Sequence, residues 1–212
     1  MINDERLVTY IHSLEKPGSE LLAQIEKQAH EDNVPIIRKE MESFLRVILK
    51  TINPKDILEL GTAVGYSALL MSECCKAHIT TVENYDKRIP IALSNIAKAG
   101  KEDCIKLVEG DALEVMQCLP AESFDFIFMD AAKAQYIFYL PEAIRLLRKG
   151  GMLITDNVLQ DGDIIQSKFV VRRRDRTIHK RMREYMRAVK NAPELETTIV
   201  PIGDGITMSV KK

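Results

Sequence analysis

Three groups of residues in this 212-residue chain carry side chains at spacings that suit chemistry. The first is Glu59-Leu60-Gly61-Thr62-Ala63-Val64-Gly65-Tyr66-Ser67, where an apolar run ends and a helical pattern begins. Gly61 and Gly65 have no Cβ, so the main chain can approach a ligand there. Glu83 follows 22 residues after Gly61, just past the next apolar run, where a carboxylate can accept both hydroxyl hydrogens of a ribose. Together they predict a cofactor that contains a nucleoside. The spacing is G-x-x-x-G rather than the G-x-G-x-x-G of dinucleotide sites, which disfavours a pyrophosphate and leaves a nicotinamide-dependent dehydrogenase as a distant alternative. Glu59 beside the turn would repel phosphate and suits a cationic sulfonium, so S-adenosylmethionine is the expected cofactor. A nucleophile elbow needs G-x-S-x-G, and Gly65-Tyr66-Ser67-Ala68-Leu69 lacks the second glycine. The bland alternative, a tight strand-to-helix turn without a ligand, is weakened by Glu83 in register.

The second group closes two later apolar runs, Asp130 after the fourth and Asp156-Asn157 after the fifth. In the usual doubly wound order these strands are neighbours, so three oxygen donors open onto one crevice. Hard oxygen donors without His or Cys favour Mg²⁺, Mn²⁺ or Ca²⁺ over zinc. Lys133 lies three residues past Asp130 and can point into the same crevice. A lysine beside a bound cation gives up its proton more readily, which suits it to general-base work. The competing reading makes Asp130 a helix cap, Asp156-Asn157 a turn and Lys133 a solvated side chain. The four histidines, His12, His30, His78 and His179, are scattered and read as surface or packing residues.

The third group is basic. Residues 168–190 hold ten lysines and arginines, Lys168, Arg172, Arg173, Arg174, Arg176, Lys180, Arg181, Arg183, Arg187 and Lys190, against Asp175 and Glu184. The chain's net charge of −1 therefore resolves into a +8 segment set against −9 elsewhere. At about 100° per residue, Arg176, Lys180, Arg183, Arg187 and Lys190 form one stripe, opposite Ile178, Met182, Tyr185, Met186 and Val189. Solvated helix faces usually mix signs, so a single-sign rail predicts a polyanionic partner.

These groups need a sheet to position them. Residues 56–60, 78–82, 104–108, 124–129 and 152–155 read as strands, separated by helices over 67–76, 86–99, 112–119 and 136–147. Strands this apolar are buried on both faces, as in a mostly parallel, doubly wound α/β sheet of Rossmann-like form. A helix over 175–191 precedes apolar runs 196–202 and 206–210 joined by Gly203-Asp204-Gly205, an antiparallel hairpin. The first fifty residues read as helices, with Leu7, Ile11 and Leu14 on one face, then Leu22, Ile25 and Ala29, then Ile37, Met41, Phe44 and Ile48. Pro17-Gly18 separates the first two, and Asn53-Pro54 stops the third. With 46% hydrophobic residues the chain supports one core and one domain, 1–212, made of a helical cap over 1–52 and an α/β core over 53–212.

No apolar run approaches the roughly 18 residues of a membrane span, and Met1-Ile2-Asn3-Asp4-Glu5-Arg6 lacks the apolar stretch of a secretory signal. The expectation is a soluble cytoplasmic protein with no membrane partner. Cys74, Cys75, Cys104 and Cys118 contain no C-x-x-C and include an adjacent pair, which suits core filler in a reducing compartment better than bridges or zinc.

As an ordered set, Glu59-Leu60-Gly61-Thr62-Ala63-Val64-Gly65-Tyr66-Ser67, Glu83, Gly110-Asp111-Ala112, Met129-Asp130-Ala131-Ala132-Lys133 and Thr155-Asp156-Asn157-Val158 resemble the cation-dependent class I O-methyltransferases, which include catechol and caffeoyl-coenzyme A O-methyltransferases. The resemblance implies that Glu59, Gly61, Gly65, Ser67, Glu83, Asp111, Ala112 and Asp130 surround S-adenosylmethionine, with Val34 closing over it. It implies that Asp130, Asp156 and Asn157 bind Mg²⁺ or Mn²⁺, that Lys133 and Asp130 are catalytic, and that the protein is a homodimer. Thr155-Asp156-Asn157-Val158-Leu159, Arg172-Arg173-Arg174 and Val200-Pro201-Ile202-Gly203-Asp204-Gly205 look like the bacterial tRNA 5-hydroxyuridine methyltransferases of that family. By that likeness the substrate is a wobble uridine in a tRNA anticodon loop, with Arg172, Arg173, Arg174, Arg176, Lys180 and Arg183 on the RNA. A small catechol or caffeoyl-coenzyme A acceptor is the second reading, and a non-catalytic RNA-binding protein the third.

Overall fold

The run Phe124–Met129 shows why this chain makes a sheet with helices on both sides. Phe126 and Phe128 enter one core, Ile127 and Met129 the other, and all four are inaccessible to solvent. A strand buried on both faces has no polar side to show to water, so it needs a helical layer on each. The computed structural model describes residues 4–16, 18–167 and 169–212. Its helices are α1 (Glu5–Leu14), α2 (Glu20–Glu31), α3 (Lys39–Ile52), α4 (Tyr66–Cys74), α5 (Ile89–Lys98), α6 (Ala112–Cys118), α7 (Tyr136–Leu146) and α8 (Arg176–Asn191). Its strands are β1 (Asp56–Leu60), β2 (His78–Glu83), β3 (Ile105–Glu109), β4 (Phe124–Met129), β5 (Leu147–Thr155), β6 (Leu195–Val200) and β7 (Ile206–Lys211).

The strands lie in the order β3-β2-β1-β4-β5-β7-β6. Neighbours from β3 through β5 pair in parallel, and β7 runs antiparallel to both β5 and β6. Helices α2 to α5 contribute to the core on one face of the sheet, and α6, α7 and α8 to the core on the other. This is the expected doubly wound sheet with its C-terminal hairpin, and β7 enters between β5 and β6. Every parallel strand ends at the same edge, where the glycine-turn group and the Asp130, Asp156 and Asn157 group lie, whereas most of the basic group rides on α8.

Local signals explain most boundaries. Asn53 takes a left-handed φ of 45° and ends α3 immediately before Pro54. Pro90 sits in the first turn of α5, which starts at Ile89 rather than Asp86 because Tyr85 to Arg88 form a separate turn. Strand β5 begins at Leu147, five residues earlier than its apolar run 152–155, and its pairing with β4 shifts register between Phe124 and Phe126. Gly150 and Gly151 lie within that early stretch, and glycine admits the irregular step that lets a strand continue.

The face of α1 that carries Leu7, Ile11 and Leu14 is not buried, with those side chains 53%, 38% and 64% exposed. The separator Pro17 and the leading residues Met1, Ile2 and Asn3 lie outside the described residues. Cys74, Cys75 and Cys104 are half-buried, whereas Cys118 is exposed at the end of α6 rather than filling the core. Among the described residues, no helix is long and apolar enough to cross a membrane.

Candidate active site

The glycine turn after β1 is a main-chain cradle. Gly61 has φ 101°, and a Cβ built there would lie 2.0 Å from the carbonyl oxygen of Asp130. Gly65, at φ 84°, caps α4 in a left-handed conformation, and Ala63 between them also has a positive φ of 47°. Glu83 holds this turn from below: its Oε2 accepts the Ala63 N–H at 2.8 Å, and its Oε1 accepts the Asn84 and Tyr85 N–H groups at 3.0 Å. The carboxylate is thereby fixed at the cleft, with further acceptor capacity for hydroxyl donors.

Glu59 is fully buried beneath the turn. Its Oε2 accepts the Thr81 hydroxyl at 2.5 Å, whereas its Oε1 has no hydrogen-bond partner among the described residues. Burial pushes its carboxyl up to about 7; the Ser67 and Thr81 hydroxyls oppose that rise and the charge of Glu83 adds to it. The Oε1 acceptor lies under a turn whose close approach to Asp130 needs glycine at 61, which fits a ligand seated on the turn, so the residues present suit the cofactor that the sequence predicts.

The ends of β4 and β5 meet as expected. Met129 pairs with Thr155, and the Asp156 N–H donates to the Met129 carbonyl at 3.0 Å, which sets Asp130 and Asp156 side by side. Burial raises the Asp130 carboxyl to about 6, assisted by the charge of Glu59 and opposed by that of Lys133. Burial also raises Asp156, to about 7, and the neighbouring charge of Asp130 adds to the effect. Two carboxylates that resist ionising next to each other, with the amide of Asn157 alongside, form a hard-oxygen donor set that a divalent cation would relieve. Among the described residues, no three His, Cys, Asp or Glu side chains gather as a metal cluster, so any such site here is two carboxylates plus an amide.

A cleft of about 610 Å³ joins the two halves. Of the sequence-predicted residues, Gly61, Ser67, Glu83, Ala112, Asp130, Lys133, Asp156 and Asn157 line it. Glu59 lies below its floor and Gly65 shapes the turn without lining it. Asp111 stands aside, capping α6 by accepting the Leu113 and Glu114 N–H groups at 2.9 and 3.3 Å. Val34 does not close over the cleft. It lines a separate cavity between α2 and α5 with Ile25 and Val64, and Pro35 to Arg38 supply the wall instead. Val34 is held there because its N–H donates to Ala29 at the end of α2 and its side chain packs on that core.

Sequence reasoning missed Asp204. This buried side chain, 3% exposed, lines the cleft and places Oδ2 3.5 Å from Lys133 Nζ. Its signal is an acid between two glycines that both take positive φ, 54° at Gly203 and 78° at Gly205.

The basic segment divides in two. Arg172, Arg173, Arg174, Arg176 and Lys180 are exposed, and the run starts eleven residues after Asp161 on the cleft wall. Arg176 and Arg183 also brace the preceding loop through the carbonyls of Phe169, Val171 and Gln166. Lys190 donates to the Thr197 carbonyl on β6 and so leaves the rail. Arg181 turns inward, donating to the Ala134 carbonyl and stacking over Phe138, 5.0 Å from its ring centre. His179 is buried among the packed residues of α8, and Lys168 lies outside the described residues.

A 3-2-1-4-5-7-6 sheet with a glycine turn after its first strand and an acidic residue after its second defines a class I methyltransferase. Residues 12–212 match the model of the O-methyltransferase family. The caffeoyl-CoA O-methyltransferase 1 of Eucalyptus globulus is 33% identical over 195 residues, 84% of this chain and 76% of that protein. Among solved structures, an SAH-bound methyltransferase of Podospora anserina superposes with a TM-score of 0.89 at 26% identity, over 98% of this chain and 94% of that one. The O-methyltransferase of Bacillus cereus in complex with SAH gives 0.85 at 26% identity, over 96% of each chain. The chain belongs to the class I S-adenosylmethionine-dependent O-methyltransferase family.

Proposed function

We propose that this enzyme methylates the 5-hydroxyl of 5-hydroxyuridine in the anticodon loop of cytoplasmic tRNA, giving 5-methoxyuridine, with a divalent cation held by Asp130, Asp156 and Asn157. When bound, S-adenosylmethionine supplies an electrophilic methyl and Mg²⁺ or Mn²⁺ supplies positive charge that favours ionisation of an adjacent hydroxyl. Glu83 receives the ribose hydroxyls, and the Gly61 turn lets the main chain approach the cofactor. Lys133 takes the acceptor's proton at Nζ, and Asp130, at the junction of the two halves, keeps the reacting groups together. The chain's main contributions are positioning and charge stabilisation.

The observation that carries this acceptor is the exposed run Arg172-Arg173-Arg174, which follows the cleft-lining Asp161 by eleven residues. Phosphate contacts position a nucleic acid while a pocket selects the base, and a wobble base in a single-stranded loop can be splayed into one. The vicinal 5-hydroxyl and 4-oxo groups of the modified base resemble a catechol in their two adjacent oxygens. The plant relatives favour a second reading, a caffeoyl-coenzyme A or catechol acceptor. Incubation with tRNA bearing 5-hydroxyuridine, S-adenosylmethionine and Mg²⁺, followed by nucleoside mass analysis, tests the proposal. Absence of 5-methoxyuridine alongside rapid catechol methylation would assign the second reading instead. The exposed apolar face of α1, with Leu7, Tyr10 and Leu14, suits a second copy of the chain, and light scattering of the purified protein tests that homodimer.

A further inference from the structure

We propose that Asp204 is a positioning residue for methyl transfer, holding Lys133 and the loop 157–162 in a single arrangement on the acceptor side of the cleft. The inference rests on the reading of Lys133 as proton acceptor and applies to whichever hydroxyl is methylated. The turn between β6 and β7 is tight because Gly203 and Gly205 both adopt positive φ, and it sends Asp204 inward rather than to solvent. The two carboxylate oxygens are divided between two partners. Oδ1 accepts the Asp161 N–H, and Oδ2 faces Lys133 Nζ at 3.5 Å.

The main chain of the same turn completes the clamp. The Asp204 carbonyl accepts the Leu159 N–H at 3.0 Å, and the Gly205 carbonyl accepts the Val158 N–H at 2.9 Å. Leu159 packs so closely that a Cβ on Gly205 would lie 2.2 Å from its Cγ. The loop needs this support. Asn157, Gln160 and Asp161 take φ of 60°, 51° and 50°, a backbone region costly for residues with a Cβ and kept only where surroundings overdetermine it. Arg38 reaches Asp161 from the opposite wall at 3.1 Å, so the loop is tied on both sides.

Lys133 is a flexible side chain on a three-residue turn, 35% exposed. A buried carboxylate beside Nζ narrows the space that the side chain samples, and this restriction is what places the amine, once it has lost its proton, near a reacting hydroxyl.

The test uses the full chain with Asp204→Ala and Asp204→Asn. Both variants should bind S-adenosylmethionine by calorimetry within about twofold of wild type, with kcat on 5-hydroxyuridine tRNA about tenfold or more lower and acceptor KM little changed. Amide hydrogen exchange at Asp161 should accelerate about tenfold or more in Asp204→Ala and stay near wild type in Asp204→Asn, whose amide oxygen still accepts that N–H. Wild-type kcat in Asp204→Asn, or unchanged loop exchange in Asp204→Ala, overturns the proposal. If the wild-type enzyme leaves tRNA unmethylated, the acceptor assignment fails separately, and the exchange measurement with the same kinetics on a catechol still decides the role of Asp204.

Discussion

The carbonyl oxygen of Asp130 occupies the space that a side chain on Gly61 would need, 2.0 Å from the position of its Cβ. This contact joins the cofactor turn to the strand that bears the candidate metal ligand. Gly61→Ala must both break it and hold φ 101° with a Cβ present. Backbone strain of this kind costs about 1–3 kcal/mol, and about 2–4 °C of melting temperature accompanies each kcal/mol in a chain of this size. The expected outcome is a fall of several degrees with no measurable S-adenosylmethionine binding in a calorimetric titration. Wild-type values for both would refute the cradle.

Three buried carboxyls make the ligand-free protein pH-sensitive in an unusual direction. Glu59 and Asp156 are raised to about 7 and Asp130 to about 6. Below the usual carboxylate range both folded and unfolded chains are protonated there, so no difference arises. As pH climbs through that range to about 7, the unfolded chain ionises first and the folded state loses stability. Melting temperature without ligands should therefore drop between pH 5 and 7.5. Glu59→Gln should flatten part of that slope and weaken S-adenosylmethionine binding.

Added Mg²⁺ should raise the melting temperature more at pH 7.5 than at pH 5, because the cation favours the ionised carboxylates and competes with protons for them. Asp156→Asn should remove most of that increment. An equal increment at both pH values would argue against a site built on Asp130 and Asp156.

Arg172, Arg173 and Arg174 are exposed, and Arg174 pairs only loosely with Asp175 at 3.6 Å. Replacing all three with alanine should weaken tRNA binding and make its salt dependence shallower by about 0.7 per lost phosphate contact, with S-adenosylmethionine affinity unchanged. Filter binding across a salt series reads both quantities. A Lys133→Ala protein that still methylates tRNA would exclude the assigned proton acceptor.

Tyr185 on α8 places its hydroxyl 2.5 Å from Thr155 Oγ1 on β5 and 3.3 Å from Thr207 Oγ1 on β7, inside the core. Tyr185→Phe leaves both threonine hydroxyls short of a partner, at a cost of about 1–3 kcal/mol. Thermal unfolding should record a fall of several degrees, with a proportionate loss of activity only near the melting temperature.

Much of the site is legible in the sequence. Charged residues that close apolar runs mark the carboxyl edge of a parallel sheet, as Glu83, Asp130 and Asp156 do, and Glu59 lies one residue inside the end of β1. Val34 illustrates the opposite case. Adjacent residues of an extended segment point to different sides, so the direction that Val34 takes depends on its packing against α2 and Val64. Of the stripe read as Arg176, Lys180, Arg183, Arg187 and Lys190, Arg176, Lys180 and Arg187 are exposed and Arg183 is half-buried, whereas the hydrogen bond of Lys190 to β6 needed a neighbour that helical periodicity does not describe.

The sequence by itself determined the elements, the parallel sheet and the residues at its carboxyl edge, because periodicity, glycine turns and run-ending charges are local properties. Only the tertiary structure decided that β7 enters beside β5, that Arg38 forms the wall in place of Val34, and that Asp204 meets Lys133 across 71 residues. Those outcomes follow from which surfaces bury each other, and contacts between distant segments leave no periodic trace in the chain that forms them.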